Sequence, residues 1–248
     1  MAEQVTRKKK IIAAFICIWL VYQAADAMIH FYNAVIPFLL LMATCTAVAW
    51  WWGKTLWKDA AKAYGLVCNS LGVKHLLLGF ALAVLIRFLH LVVSIKTGES
   101  ALPTVPSWQV LLPYLPLVIA GTLLPSLAED LLTRAFVMRA LGYKIPVLLA
   151  STVVYVLNHT YRLGSGPEVW CYLAVTGVVL AWPLLFTRSL WFTLGLHWGI
   201  NAFYRLSQDV LLLQSGDKDS LWPLTAFTFL LLPLSYFLLK GFSAPSRT

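Results

Sequence analysis

The 248 residues are 60% hydrophobic and 12% charged, with a mean hydropathy of +0.78, whereas a soluble domain is about half apolar and a quarter charged. This composition excludes an ordinary soluble domain and a disordered chain, and apolar sequence spread from Ile11 to Leu239 excludes a protein held by one anchor. The formal charge of +9 does not mark a nucleic-acid binder, because Lys and Arg gather at the ends of apolar runs, as in the block from Arg7 to Lys10.

At about 20 apolar residues per crossing, the chain supplies about eight spans. They fall approximately at 11–30, 33–52, 75–95, 109–138, 145–162, 168–187, 189–211 and 221–239. The first run has the basic head and apolar core of a signal peptide, but Gln23 and Asp26 precede no small-residue cleavage site, so it is expected to stay as a span. Between the second and third runs, Lys54, Lys58 and Lys62 recur at four-residue spacing beside Trp57 and Leu66. Gly53 to Lys74 therefore reads either as an amphipathic helix on the inner surface or as a solvated linker. Ser207 to Ser220, with Asp209, Asp217 and Asp219, reads as an outer loop. Trp50, Trp51, Trp52, Trp108 and Trp222 fall near expected interfaces. Cys17, Cys45, Cys68 and Cys171 stand singly, as buried thiols do, with no disulfide or metal framework.

Charge orients the spans. With the N-terminus inside, the inner set is Arg7 to Lys10, Lys54, Lys58, Lys62, Lys74, Arg139, Lys144, Arg188, Lys240 and Arg247, and it outnumbers Lys96, Arg162, Arg205 and Lys218 outside. The expected fold is an all-α, polytopic transmembrane helical bundle. It forms a single membrane domain over 1–248 with both termini cytoplasmic, and the composition implies the lipid bilayer as a partner and no nucleic acid.

Three spans carry polar residues that lipid disfavours; a carboxylate at bilayer depth costs at least about 2.5 kcal/mol on insertion scales. The fourth holds Glu129, Asp130 and Arg134, the fifth Tyr155, Asn158 and His159, and the seventh His197 and Asn201. On a helix advancing about 100° per residue, Asp130 and Arg134 share a face and form a natural ion pair, while Glu129 is turned away and free to face a hydrated cavity as a general base. Tyr155 and His159 share a face, as do His197 and Asn201. Counted from the inner ends at about 1.5 Å per residue, Glu129, His159 and His197 lie about 15, 21 and 12 Å deep, all in the middle of a core about 30 Å thick.

Glu129-Asp130-x-x-x-Arg134, Tyr155-x-x-x-His159 and His197-x-x-x-Asn201 resemble, in order and spacing, the EExxxR, FxxxH and HxxxN signature of the CPBP (CAAX protease and bacteriocin-processing, or Abi) intramembrane proteases, which include type II CAAX prenyl endopeptidases. The resemblance covers about 113–205, whereas the spans within 11–95 carry no diagnostic motif. Two positions depart from it: Asp130 stands for the usual second Glu and Tyr155 for Phe.

The resemblance implies an endopeptidase that cuts a membrane-associated peptide, lipidated or C-terminally tagged; as no organelle-targeting signal stands out in the sequence, a bacterial inner membrane is the expected location of this multi-pass protein. By the same resemblance, Glu129 activates water as general base and then donates the proton, and His159 and His197 hold that water or a divalent metal, with zinc the expected ion. Asn201 polarises the scissile carbonyl, while Arg134, through Asp130, fixes the helix face. Glu129, His159 and His197 would form the metal set, although a metal-free glutamate mechanism uses the same residues. Two other classes compete: a non-catalytic immunity or scaffold protein, which would survive loss of Glu129, and a proton-coupled transporter, for which no broken-helix repeat speaks.

Among the remaining polar residues, Arg87 and His90 are expected to snorkel or to pair with Asp26 in preference to contacting the site or a substrate carboxylate. Asn158 either orients His159 or pairs with a neighbouring helix. Pro125 either kinks its helix to open the cavity or marks a packing bend.

Overall fold

The computed structural model describes residues 2–101, 106–210 and 220–240, and among these every regular element is helical. The chain runs through α1 (Ala2–His30), α2 (Val35–Trp57), α3 (Ala60–Ala63), α4 (Ser70–Thr97) and α5 (Trp108–Asp130). A π-helical turn, Leu131–Phe136, joins α5 to α6 (Val137–Leu141), and α7 (Ile145–Asn158) gives way to a 3-10 segment, Thr160–Ser165. Then come α8 (Pro167–Ala181), α9 (Leu184–Thr187), α10 (Leu190–Arg205), a second π segment (Leu206–Val210), α11 (Trp222–Phe229) and α12 (Leu231–Lys240).

Among the described residues, six helices are long and apolar enough to cross a membrane: Gln4–His30, Val35–Trp57, Ser70–Thr97, Trp108–Leu141, Pro167–Thr187 and Trp222–Lys240. The protein is an all-α, multi-pass membrane protein. Of the eight expected spans, 145–162 emerges as a shorter helix of 14 residues, whereas in 189–211 the 16-residue α10 runs on into the second π segment. His159 ends the first of these, and its backbone turns into the 3-10 segment there.

The segment after α2 decides between the two readings of Gly53 to Lys74 against the amphipathic helix. Lys58 takes a positive φ of 68° and stops α2. Asp59 then caps the four-residue α3 by accepting from the Lys62 N–H, and that bond holds its carboxyl below the usual range. Tyr64 folds inward, is buried, and donates its hydroxyl to the Ala49 carbonyl at 2.7 Å. The segment is a linker anchored in the core, and the cations at 54, 58 and 62 do not form one helical stripe. Of the expected outer loop, residues 211–219 lie outside the described residues, and 206–210 are helical.

Local signals explain the boundaries that position the site. Asn69 caps α4 by accepting from the Gly72 N–H at 2.7 Å, and Gly98, at φ +79°, closes the helix. Gly166, at φ +100°, and Pro167 open α8.

Inside lipid there is little hydrophobic gain from pairing helices, so close backbone approach carries the packing. The spacing small-x-x-x-small appears on both partners of the tightest pair, at Gly79 and Ala83 of α4 and at Gly195 and Gly199 of α10. A Cβ on Gly195 would strike the Leu76 carbonyl oxygen, and one on Gly79 would strike that of Phe192. Because 195 and 199 face α4, His197 and Asn201, rotated by about 200°, face the opposite side and meet α5. Trp198 Nε1 secures that contact by donating to the Ile119 carbonyl at 2.9 Å.

Candidate active site

Glu129 and Asp130 end α5 at the point where the helix widens into the π turn. Single π turns inside longer helices often mark functional sites, and sequence periodicity gave no sign of this one. Around it, Thr133 donates to the Glu129 carbonyl at 2.7 Å, and Ser151 of α7 donates to the Thr133 carbonyl at 2.6 Å, which pins α7 to the turn.

The expected ion pair forms. Arg134 Nη1 donates to Asp130 Oδ1, and both side chains are 0% exposed. Arg134 also donates to the Thr133 hydroxyl at 3.0 Å and lies over the Tyr155 ring at 4.6 Å. Tyr155 thus serves through its ring, as the Phe of the resembled pattern could.

Asp130 has a second contact that the sequence reading missed: its Oδ1 lies 3.0 Å from His197 Nδ1. The carboxylate, paired with a guanidinium, accepts here, so Nδ1 carries the proton and the Nε2 lone pair points elsewhere. It points at Glu129, whose Oε2 lies 3.5 Å away. Glu129 is 6% exposed, and its other oxygen, Oε1, is buried with no hydrogen-bond partner among the described residues. Two acceptors thus converge on one spot, an arrangement that suits a donor such as water.

His159 stands nearby, with Nδ1 3.9 Å from Glu129 Oε1. That nitrogen is committed, because it donates to the Tyr155 carbonyl at 2.9 Å. Among the described residues no group of three His, Cys, Asp or Glu side chains is arranged to hold a metal ion. With Nδ1 held by that carbonyl, Nε2 is the His159 nitrogen whose lone pair is free to accept a proton donor or meet an ion.

Asn201 Nδ2 donates to Ser126 Oγ at 3.0 Å, and Ser126 in turn donates to the Thr122 carbonyl at 2.8 Å. One N–H of the amide is thereby fixed, and the second stays available to a ligand.

These side chains open onto one cavity of about 660 Å³, lined by Glu129, Tyr155, His159, His197 and Asn201. Helix α5 continues through Pro125, which lines the same cavity. Another part of the wall comes from helices without a motif: Tyr22 and Asp26 of α1, and Arg87 and His90 of α4. This wall corrects two expectations. Arg87 does not pair with Asp26; its Nη2 donates to the Tyr172 hydroxyl of α8 at 2.5 Å, and Asp26 pairs with His30 at 3.5 Å. Nor does Arg87 snorkel, being 7% exposed. Of the two readings of Asn158, pairing with a neighbouring helix is the one seen: its Oδ1 accepts from Trp19 at 3.1 Å and Gln23 at 3.3 Å, tying α7 to α1.

Residues 111–203 match the family model of type II CAAX prenyl endopeptidase Rce1-like proteins, the family to which the three motifs pointed. No curated protein and no solved structure matches the chain significantly. The matched segment contains Glu129, Asp130, Arg134, Tyr155, His159, His197 and Asn201. The cavity wall from α1 and α4 lies outside it.

Proposed function

We propose that this chain, with its type II CAAX prenyl endopeptidase segment, is an intramembrane endopeptidase that hydrolyses a peptide bond of a membrane-associated, lipid-bearing substrate with water activated by Glu129. The observation that supports this most is the convergence of Glu129 Oε2 and His197 Nε2, 3.5 Å apart, on a cavity within helices apolar enough to cross a membrane.

A water donating to both acceptors loses its proton to the Glu129 carboxylate as its oxygen attacks the scissile carbonyl. His197 holds the water, and Asp130 keeps the imidazole in the tautomer that can do so. Asp130 itself is held by Arg134, so a chain of contacts from a fully buried ion pair fixes the ring. The carbonyl oxygen gains negative charge and is met by the free N–H of Asn201, an already oriented donor. Glu129 then returns the proton to the departing amine. His159, with Nδ1 fixed by the Tyr155 carbonyl, lines the same pocket and orients the substrate or the water. No step is routed through a metal ion.

The test uses purified protein in liposomes and a fluorescent S-farnesylated C-a-a-X peptide. Glu129→Gln keeps the shape and removes the base, so cleavage is expected to fall by about 10²- to 10⁴-fold while thermal melting is unchanged. Equal cleavage by both proteins refutes Glu129 as the base, and no cleavage by the parent refutes the endopeptidase reading and leaves the non-catalytic one standing.

A further inference from the structure

Arg87 presents a problem that the catalytic scheme leaves unused. A charged side chain at bilayer depth ordinarily faces an opposite charge or a functional cavity. Arg87 is 7% exposed, and among the described residues no carboxylate lies within 4 Å of it. Its contacts are the Tyr172 hydroxyl, at 2.5 Å, and the face of the same ring, with the guanidinium carbon 5.5 Å from the centroid. Both position the guanidinium, and neither neutralises it.

The nearest acidic residue along α4 is spoken for. Glu99 folds back over the end of the helix, where its carboxylate accepts from the Ser94 hydroxyl at 3.4 Å. Ser94 lies seven residues beyond Arg87, about 10 Å along the axis. The other arginines of the cavity, Arg162 and Arg205, are exposed, which leaves Arg87 as the buried cation of the cavity among the described residues.

The height of Arg87 relative to the catalytic pair follows from the glycine seam. A Cβ on Gly199 would lie 2.9 Å from the Cβ of Ala83, and one on Gly79 would meet Phe192 and Leu196, so α4 and α10 run parallel with Ala83 level with Gly199. Arg87 is one turn past Ala83, and His197 is two residues before Gly199. The axial separation is about 9 Å at 1.5 Å per residue. An extended peptide covers about 3.3–3.6 Å per residue, so this distance corresponds to two or three residues.

We propose that Arg87, positioned by Tyr172, is a specificity-determining residue that seats a carboxylate of the substrate two or three residues beyond the bond presented to Glu129. The claim rests on the endopeptidase reading for the identity of that bond; the seat itself is a binding property and is testable without cleavage. A guanidinium and a carboxylate in this setting form charge-assisted hydrogen bonds, and the bound anion supplies the partner that the buried cation lacks.

The experiment measures equilibrium binding of an N-dansylated, S-farnesylated tetrapeptide of C-a-a-X pattern, with serine last, as the free acid and as the C-terminal amide. The proteins are Glu129→Gln, which does not turn the probe over, and the same variant carrying Arg87→Met or Tyr172→Phe. The acid is expected to bind about tenfold or more tighter than the amide. That preference is expected to vanish in Arg87→Met and to shrink in Tyr172→Phe, while amide binding stays constant. Equal binding of acid and amide by the Glu129→Gln protein overturns the proposal, and this comparison holds even where Arg87→Met fails to fold. Persistence of the preference in folded Arg87→Met overturns it as well. Acid-selective binding by the Glu129→Gln protein, together with a parent protein that cleaves neither form, refutes the endopeptidase reading alone and supports the seat.

Discussion

The two walls of the central cavity hold their charges in different ways. On the wall built by α5, α7 and α10, charged and polar groups are tied to one another: Arg134 to Asp130, Asp130 to His197, Asn201 to Ser126. On the wall built by α1 and α4, Asp26 meets a histidine one turn along its own helix and Arg87 meets a phenol. Groups bound into a network are already oriented when a substrate arrives, which is how electrostatic catalysis avoids reorganisation in the reaction step. Charges held only by uncharged or weakly charged partners keep their capacity for an incoming ion. Glu129 and Asp130 repeat the contrast at adjacent positions: the aspartate Oδ1 is held by a guanidinium and an imidazole, while the glutamate has only imidazole nitrogens near it, at 3.5 and 3.9 Å.

Breaking the networked wall is expected to have the largest effect. Asp130→Ala strands Arg134 in the interior and should lower stability by about 3–5 kcal/mol, seen as an early thermal transition, together with loss of cleavage. Pairing Asp130→Leu with Arg134→Met should restore most of the melting temperature and none of the activity, because His197 still lacks its acceptor. A double variant that cleaves would sever the link from Asp130 to His197.

Asn201→Ala sharpens the picture one step down. Removing a single oriented donor is expected to lower kcat by about 10²- to 10³-fold with melting unchanged, and a change confined to KM would mark Asn201 as a binding group. On the other wall, Asp26→Asn is expected to leave kcat within about threefold in steady-state assays, since its partner His30 lies on the same helix; a large drop would join the two walls into one network. Smallest of all is Tyr155→Phe. The contacts of Tyr155 with Arg134 and His159 are made by its ring, so activity within about twofold of the parent is expected.

Much of this arrangement was legible in the sequence. Each expected apolar run contains a helix, and the side chains of three separated motifs do meet at one cavity. Helical geometry also assigned Asp130 to Arg134 and left Glu129 free. What it could not give was how one helix sits against another. Face-sharing fixes directions within a helix but not the rotation or height of its neighbour, so the bond from Asp130 to His197 and the inward position of Arg87 stayed hidden. Hydropathy likewise overextended the fifth span, because the helix ends at Asn158 and the chain passes through His159 into a tight 3-10 segment that averaging over a window cannot resolve. Gly53 to Lys74 stayed open between a helix and a linker because its lysine spacing fits a helix, whereas the positive φ of Lys58 and the inward Tyr64 interrupt it.

The glycine seam has a mechanical outcome. With backbone pressed on backbone, α4 and α10 can neither slide nor roll without collision, so Arg87 and His197 ride on one stiff strut. The gap between them works as a gauge of length: a chain cut in this cavity would be measured by how far its end reaches, largely regardless of which apolar side chains fill the interval.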